Sequence, residues 1–219
     1  MRADIIIPAY NEGDMIKETL THLRQCTWIN NLIVIDDGSA DNTFTEALPL
    51  VDKMLHHERN KGKVQAVKTG LPYVEAGIVL LLDADLGLSI IEAEKLLVPL
   101  TDSRVDMTIA TFPPPVNGGF SLVKRRASHT IYKKTGVHLS SPLSGQRGFK
   151  SEWIPHILDM PSVGFGLEMS LNISFLKKGA KLKEVKTNMT HREHGKSMYG
   201  FYHRLKQLVE MEKSLWLME

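Results

Sequence analysis

The chain has 219 residues, of which 42% are hydrophobic and 24% charged, and these proportions are ordinary for a folded globular protein. Its formal net charge of +2 gives no electrostatic reason to expect a nucleic-acid partner. The single cysteine, Cys26, cannot form an internal disulfide, and the sequence shows neither a leader pattern nor an apolar run of membrane-spanning length. We therefore expect a cytoplasmic protein whose contact with a membrane is at most peripheral.

Apolar runs alternate with helical patterns through the first 111 residues. The runs predict strands at residues 4–7, 32–35, 54–57, 78–82 and 107–111. The patterns between them predict helices over about 12–25, 42–48, 63–71 and 90–100. We expect Asn11 to cap the first of these helices, Pro8 to end the first strand and Pro49 to end the second helix. This alternation predicts an α/β fold with a mostly parallel, Rossmann-like sheet flanked by helices.

The second half of the chain is less regular. Residues 113–119 are rich in proline and glycine and predict a loop, and residues 143–149 predict a loop or a short strand. Helices are predicted over about 120–134, 166–178 and 198–218, and a strand over 182–190. The last helix is amphipathic, so it packs on the sheet, on a second copy of the chain or on a membrane surface. We expect all 219 residues to form a single domain.

Polar side chains follow three of the predicted strands, at residues 8–12, 36–39 and 83–85. Because the carboxyl ends of parallel strands meet at one edge of a sheet, we expect these clusters to be neighbours. Carboxylates such as Asp83 and Asp85 suit Mg²⁺ or Mn²⁺ bound to a nucleotide diphosphate. The spacing of this pair alone fits a solvated pair at the start of the next helix equally well.

Other residues of the first half suit a nucleotide. Asp37 can accept a hydrogen bond from the imide N–H of a pyrimidine base, and Tyr10 offers a stacking face. Lys61 and Lys63 flank Gly62 at a predicted helix start, where a phosphate is favoured. Neither a P-loop nor a Rossmann glycine fingerprint occurs, so P-loop kinases and NAD-dependent dehydrogenases are disfavoured.

Four segments occur in the order found in family 2 glycosyltransferases, and the sequence resembles that family. They are residues 5–12 (IIIPAYNE), 34–39 (VIDDGS, followed by Asp41 and Thr43), 60–63 (NKGK) and 83–85 (DAD). The resemblance implies a GT-A fold and a UDP- or GDP-linked sugar donor, with residues 1–111 binding the donor and residues 112–219 forming the acceptor half and final helix. It implies a donor site formed by Pro8, Ala9, Tyr10, Glu12, Asp37, Lys61, Gly62, Lys63, Asp83 and Ala84, with Asp85 on the metal.

Two later segments, residues 164–168 (GFGLE) and 191–200 (HREHGKSMYG), resemble dolichyl-phosphate mannosyltransferases and related polyprenyl-phosphate enzymes. They are similar, less closely, to glucosyl-3-phosphoglycerate synthases. The resemblance implies that His191 is a third metal ligand beside Asp83 and Asp85; a turn residue is the alternative. It implies that Glu168 is an acceptor carboxylate or general base. Arg192 and Lys196 are expected to neutralise phosphate. The residues expected in an acceptor loop are Ser144, Gly145 and Arg147.

Together these features predict a metal-dependent glycosyltransferase in which Asp85, Glu168 and Arg192 carry the catalysis. The acceptor is expected to be a lipid phosphate or a small phosphorylated molecule. Two alternatives stay open. One is a sugar-phosphate nucleotidyltransferase, although residues 8–12 lack the glycine-rich signature of that class. The other is a non-catalytic domain that binds a nucleotide sugar.

Overall fold

The computed structural model describes residues 1–112, 121–160 and 166–190, which form a single α/β domain around one seven-stranded sheet. The strand order is β3-β2-β1-β4-β6-β5-β7. Strand β6 is antiparallel to both β4 and β5, and the other neighbouring pairs are parallel. The strands are β1 Ala3–Ala9, β2 Ile29–Asp36, β3 Lys53–His56, β4 Ile78–Leu81, β5 Met107–Thr111, β6 Arg147–Lys150 and β7 Leu182–Lys186. The predicted mostly parallel α/β sheet is thereby confirmed.

Helices cover both faces of this sheet. The α-helices are α1 Ile16–Leu23, α2 Thr43–Ala47, α3 Lys63–Gly70, α4 Ser121–Thr135, α5 Ile154–Asp159 and α6 Leu167–Lys177. Shorter 3₁₀ segments are Leu48–Leu50, Leu71–Tyr73, Gly87–Leu96, Val98–Thr101 and Ser151–Trp153. Within the described ranges, no helix is long and apolar enough to cross a bilayer.

Strands β1 and β4 are largely apolar because both of their faces are buried, and the exception, Asp4, accepts backbone hydrogen bonds inside the fold. Ile5 and Ile7 of β1 pack into the core beside α1 and the Gly87–Leu96 segment. Ile6, which points to the opposite face, packs into the core that includes residues of α3, α4 and α6. Side chains alternate across a strand, so an unbroken apolar run is the expected pattern for a strand covered on both sides.

Pro8 does not end β1, which continues to Ala9. The Ile6 carbonyl accepts a hydrogen bond from Leu82 N–H of the chain leaving β4, and the Ala9 carbonyl accepts one from Asp37 N–H beside β2. Alternate residues of β1 therefore face β4 and β2, and Pro8 faces the β4 side beyond the end of that strand. A proline is tolerated there because its missing N–H costs no ladder hydrogen bond.

The predicted cap of the first helix is wrong. Asn11 has φ of +56°, and its side-chain oxygen accepts from Ala40 N–H at 2.9 Å instead of capping a helix. Helix α1 begins four residues later than predicted, at Ile16. The helix predicted over 90–100 is two 3₁₀ segments that meet at Leu97, and Pro49 lies inside a 3₁₀ turn that continues α2.

In the second half, residues 143–149 include the start of the short strand β6, whereas α5 was not predicted. Strand β7 ends at Lys186, earlier than the predicted residue 190. The predicted loop at 113–119 and the predicted helix over 198–218 lie outside the described residues. The division into a donor half and an acceptor half stays a prediction.

Candidate functional site

The three polar clusters lie together at the carboxyl edge of the sheet, as predicted. Strand β1 lies between β2 and β4 and is parallel to both. Ala9 is paired in register with Asp36, and Asp37 N–H donates to the Ala9 carbonyl at 2.8 Å. From β1 the chain adds β2 and β3 on one side of the sheet and then returns to add β4 on the other side. The gap between β1 and β4 is therefore the kind of position where open α/β sheets commonly bind ligands.

The loop after β1 is held by side chains from the segment that follows β2. The backbone N–H groups of residues 11–13 donate, in turn, to Ser39 Oγ (2.9 Å), Thr43 Oγ1 (2.8 Å) and Asp41 Oδ2 (3.0 Å). Burial alone would raise the pKa of Asp41, but hydrogen bonds from the Thr43 hydroxyl and from backbone N–H groups outweigh it and lower that pKa. The start of the site is thus fixed by polar contacts that were not apparent from the sequence.

Tyr10 and its neighbours form one side of this edge. The Tyr10 side chain is 48% exposed, Pro8 is partly exposed, and Ala9 is buried. An exposed ring at the end of a central strand is placed where a base could stack on it. Glu12 lies at the turn before α1, with its carbonyl accepting from the N–H groups of Met15 and Ile16.

Asp37 is buried and holds the loop that precedes α3. Its Oδ2 accepts from Gly62 N–H at 2.7 Å, and its Oδ1 accepts from Lys61 N–H at 2.9 Å. His57 Nδ1 lies 2.6 Å from Oδ1, and His57 Nε2 lies 3.0 Å from Thr69 Oγ1. Asp37 thus fixes the backbone of residues 61–62, a task that the sequence analysis did not assign to it.

A second aspartate–histidine pair repeats this arrangement one residue earlier. His56 Nδ1 lies 3.0 Å from Asp36 Oδ2, and Asp36 Oδ1 accepts from Ser39 N–H at 3.0 Å. The His56 ring is 47% exposed and packs edge-on against Phe44. Two consecutive aspartates at the end of β2 are therefore matched by two consecutive histidines at the end of β3.

Asp83, the first carboxylate after β4, is held from two sides. Lys63 Nζ donates to its Oδ1 at 2.7 Å, and Gln146 Nε2 donates to its Oδ2 at 2.5 Å. Gln146 Oε1 also accepts from the Asp83 backbone N–H at 2.9 Å. Gln146 is fully buried, and its two hydrogen bonds fix both the backbone and the carboxylate of Asp83.

Thr19 fixes the backbone of the same loop from the other face of the sheet. It is fully buried in α1, and its hydroxyl donates to the Ala84 carbonyl at 2.8 Å. The same hydroxyl accepts from Gly87 N–H at 2.9 Å. Ala84 lies between the two carboxylates of the motif, so Thr19 sets the path of the chain from Asp83 to Asp85.

Glu168, in the first turn of α6, lies beside this motif. Its Oε1 accepts from Lys63 Nζ at 3.0 Å, so the Lys63 ammonium bridges Glu168 and Asp83. Burial alone would lower the pKa of Lys63, but the charges of Asp83 and Glu168 and their hydrogen bonds raise that pKa above its ordinary value. The bridge brings a donor-half residue and an acceptor-half residue of the prediction into direct contact.

The predicted acceptor residues have different positions. Gly145 lies against the ion pair, because a Cβ at Gly145 would come within 2.5 Å of Asp83 Oδ2 and 2.9 Å of Lys63 Nζ. Ser144 is buried, and its carbonyl accepts from Arg147 at 2.5 Å. Of the three, Gly145 is adjacent to the site and partly exposed.

Arg147, the third residue expected in the acceptor loop, is turned into the fold, and its acceptor role stays a prediction. Its side chain is buried in β6 and donates to the Ser144 carbonyl and to Asn172 Oδ1. Burial lowers the pKa of Arg147 to about 10, against the opposing charges of Glu168 and Asp83. Arg147 is therefore an internal cation below the site.

A cleft of about 470 Å³ opens beside Asp85. It is lined by Met15, Glu18, Asp85, Leu86, Gly87, Leu88, Ser89, Ile91, Glu92 and Thr190. Leu88 and Ile91 are about half exposed, at 56% and 46%. Thr190 N–H donates to Ser89 Oγ at 3.1 Å, which holds the chain at the cleft immediately before His191.

The pair Asp83 and Asp85 fits the hard cation that the sequence predicts. Both residues are partly exposed on the loop after β4. Among the described residues, no group of three His, Cys, Asp or Glu side chains is placed to hold an ion. Mg²⁺ commonly takes one or two carboxylates and completes its shell with water and substrate phosphates. This donor set therefore suits an ion that binds together with a diphosphate.

Three predicted site residues, His191, Arg192 and Lys196, lie outside the described residues. The contacts made by Thr19, His57 and Gln146 were not predicted. The sequence did hold a signal for His57. The consecutive histidines 56–57 and the consecutive aspartates 36–37 stand at the ends of two predicted neighbouring strands, so they could have been paired in advance. No comparable signal marks Thr19, because its position in the sequence indicates only that it lies on the buried face of a helix.

Comparison with known proteins finds a family match and similar sequences. Residues 4–158 match Glycosyl transferase family 2. An uncharacterised protein of Methanocaldococcus jannaschii, MJ1222, is 30% identical over 203 residues, which cover 88% of this chain and 83% of that protein. Glycosyltransferase AglJ of Haloferax volcanii is 30% identical over 198 residues, covering 87% of this chain and 64% of that protein.

The fold is shared with solved structures. Glucosyl-3-phosphoglycerate synthase from Mycobacterium tuberculosis, crystallised with Mn²⁺, UDP-glucose and glycerol 3-phosphate, superposes with a TM-score of 0.73. The superposition covers 96% of this chain and 78% of that one, at 22% identity, and so establishes the fold alone. From the family match and the relatives, the chain belongs to family 2 of the glycosyltransferases.

Proposed function

We propose that the chain transfers a sugar from a UDP- or GDP-linked donor to a phosphorylated acceptor, with Mg²⁺ or Mn²⁺ at Asp83 and Asp85. The observation that carries this proposal is the convergence at one sheet edge of Tyr10, the Asp37-held loop and the Asp83–Asp85 motif. That edge offers a stacking face, backbone N–H groups and carboxylates, which together match a base, a ribose and a metal-bound diphosphate.

Asp37 supports a base-reading role by its remaining acceptor capacity. Each carboxylate oxygen has two lone pairs, and Oδ1 uses both on Lys61 N–H and His57. Oδ2 accepts from Gly62 N–H, which leaves one further lone pair for an imide N–H. In this proposal the loop of residues 61–62 closes over the base, and Pro8, Ala9 and Glu12 shape the remainder of the pocket.

A divalent ion held by the two aspartates would stabilise the charge of the departing nucleoside diphosphate. We assign the same role to the cationic side chains of Lys63, Arg192 and Lys196. His191 is the proposed third ligand, which is supported by the position of Thr190 in the cleft that Asp85 lines. Water must be excluded from the donor, and we assign Ala84 and Gly145 to the walls that do so.

Glu168 is the residue we assign to the acceptor. If the acceptor is an alcohol, Glu168 acts as general base and accepts its proton. If the acceptor attacks through a phosphate oxygen, the nucleophile is already ionised and Glu168 serves to position it through Lys63. The half-exposed Leu88 and Ile91 beside Asp85 support a lipid phosphate, whereas the basic residues alone suit a small phosphorylated acceptor equally well.

The first test is a thermal-shift screen of nucleoside diphosphates and their sugars, with and without Mn²⁺ or Mg²⁺. A ligand at about 100 times its dissociation constant raises the free energy of unfolding by roughly 2.7 kcal/mol, which is readily observed. A shift with a UDP or GDP compound that requires metal is the expected result. No shift with any nucleotide would contradict the proposal.

Product analysis then separates the remaining functions. The chain is incubated with the bound nucleotide sugar and either a polyprenyl phosphate in detergent or glycerol 3-phosphate, and transfer to one of them identifies the acceptor class. Pyrophosphate release from a nucleoside triphosphate and a sugar phosphate would instead indicate a nucleotidyltransferase. Nucleotide-sugar binding with no turnover across an acceptor series would indicate a non-catalytic domain.

A further inference from the structure

The Lys63 ammonium lies beside Asp83, one of the two carboxylates proposed to bind the metal ion. This ammonium lies 2.7 Å from Asp83 Oδ1 and 3.0 Å from Glu168 Oε1. The Lys63 and Asp83 side chains are only partly exposed, and Glu168 is more buried still. An ammonium between two carboxylates is the arrangement by which a protein satisfies two nearby negative charges without a metal ion.

The backbone of Gly145 covers the ion pair and limits the space around it. A Cβ at that position would lie 2.9 Å from Lys63 Nζ and 3.0 Å from Asp83 Oδ1. The other oxygen of Asp83 accepts from Gln146, which is fully buried. A cation that approaches Asp83 therefore meets the Lys63 ammonium at close range and competes with it for Oδ1.

The formal charges of four described residues, Lys63, Asp83, Glu168 and the buried Arg147, sum to zero. Lys63 and Arg147 contribute two positive charges, and Asp83 and Glu168 contribute two negative charges. A divalent ion added to this balanced group meets the repulsion of Lys63 at close range. A diphosphate that binds with the ion supplies negative charge and hydrogen-bond acceptors for the displaced ammonium.

The position of Lys63 in the fold favours this exchange. Lys63 is the first residue of α3 and follows Gly62, which has φ of +89°. The N-terminal N–H groups of a helix favour a phosphate, so a diphosphate at the start of α3 would lie within reach of the ammonium.

We propose that Lys63 is the resident counter-cation of the donor site. A divalent ion then binds well only together with a nucleoside diphosphate, whose phosphate oxygens replace the carboxylates as partners of the Lys63 ammonium. This inference rests on the proposed function, because it assumes that Asp83 contributes to a metal–nucleotide site. It adds an order of assembly: metal and nucleotide stabilise each other's binding, and Lys63 is the residue that couples them.

The experiment measures Mn²⁺ binding by electron paramagnetic resonance, without nucleotide and with UDP or GDP. In the unsubstituted protein, the nucleotide should tighten Mn²⁺ binding by roughly tenfold or more. Lys63→Met should tighten nucleotide-free Mn²⁺ binding by roughly tenfold, because it removes the ammonium, and its positive charge, from Asp83 Oδ1. Lys63→Arg keeps the charge and should leave the weak nucleotide-free binding in place.

Lys17→Met is the matched control, because it removes the same charge from the exposed Lys17 of α1, which pairs with Glu46 of α2. This control should leave nucleotide-free Mn²⁺ binding unchanged. Equal nucleotide-free Mn²⁺ affinity of Lys63→Met and the unsubstituted protein would overturn the proposal. So would equal tightening by Lys17→Met, since the effect would then be one of net charge.

Lys63→Met leaves two carboxylates without their shared cation, and circular dichroism shows whether it folds. If it does not, Lys63→Met with Glu168→Gln restores the charge balance and carries the same measurement and the same expected tightening. The proposed function fails separately, if no nucleotide binds the unsubstituted protein in the presence of metal. The nucleotide-free comparison of Lys63→Met then still shows whether Lys63 opposes a divalent ion at Asp83, whereas the coupling to a nucleotide fails with the proposed function.

Discussion

Replacing Thr19 by valine tests whether one buried hydroxyl holds the Asp83–Asp85 loop in place. The hydroxyl donates to the Ala84 carbonyl at 2.8 Å and accepts from Gly87 N–H at 2.9 Å. Valine has nearly the same shape but makes neither bond, so a buried carbonyl and a buried N–H are left without partners. Each such group costs about 1–3 kcal/mol, and with partial relaxation we expect the free energy of unfolding to fall by about 2–4 kcal/mol.

The assay is urea unfolding followed by circular dichroism, with Thr19→Ser as the matched control. Serine keeps the hydroxyl and loses one methyl group, so its cost should be about 1 kcal/mol. Thr19→Val should also weaken nucleotide-dependent Mn²⁺ binding, because Ala84 lies between the two carboxylates, while Thr19→Ser should not. If the two variants are equally stable and bind Mn²⁺ equally, Thr19 does not position this loop.

Three further predictions concern the surroundings of the site. Gly145→Ala should lower the rate of sugar transfer by roughly 100-fold, because the added Cβ would displace Asp83. Gly77→Ala is its control: the added Cβ meets open space at the other end of β4, so steady-state kinetics should be unchanged. Gln146→Leu should lower the free energy of unfolding by about 1–3 kcal/mol in urea titrations, since the Asp83 N–H and Oδ2 lose their buried partner. Because hydrogen bonds lower the pKa of Asp41 below 3.8, its stabilisation is complete above that pH and is lost as the pH falls through the folded-state pKa. The difference in melting temperature between Asp41→Asn and the unsubstituted protein should therefore be largest near neutral pH and shrink below pH 3.8, and a difference that grows on acidification would contradict this assignment.

Strands β1, β2 and β4 were predictable because their apolar runs are buried on both faces. The run of residues 78–82 has no polar interruption, and β4 lies in the middle of the sheet between β1 and β6. The convergence of the polar clusters followed from that arrangement alone, since parallel neighbours must share a carboxyl edge. The antiparallel β6 was less legible, because its four residues, Arg147–Lys150, include a charged residue that is buried.

Local signals misled where a tertiary contact took over the residue concerned. Asparagine is a common helix cap, but the side-chain oxygen of Asn11 accepts a hydrogen bond from Ala40 N–H instead. Arg147 was expected in an acceptor loop, but its side chain is buried and donates to the Ser144 carbonyl and to Asn172 inside the fold. Neither outcome can be predicted from sequence spacing, because Ala40 and Asn172 are more than 20 residues from Asn11 and Arg147.

The roles of Thr19 and Gln146 were invisible for a related reason. Each makes two hydrogen bonds to the Asp83–Asp85 loop from an element more than 60 residues away in sequence. A buried threonine on a helix and a buried glutamine beside a strand carry no motif of their own. Cytoplasmic location, peripheral membrane contact and self-association through the predicted final helix all stay predictions.

The measurement that tests the central claim most directly is nucleotide release from the donor sugar by the unsubstituted protein and by Asp85→Ala, each with Mn²⁺ and with a chelator. The acceptor is the one found by product analysis. We predict turnover that requires the metal and falls by roughly 100-fold or more in Asp85→Ala, whose fold is checked by circular dichroism. Full metal-dependent turnover by Asp85→Ala would contradict the account.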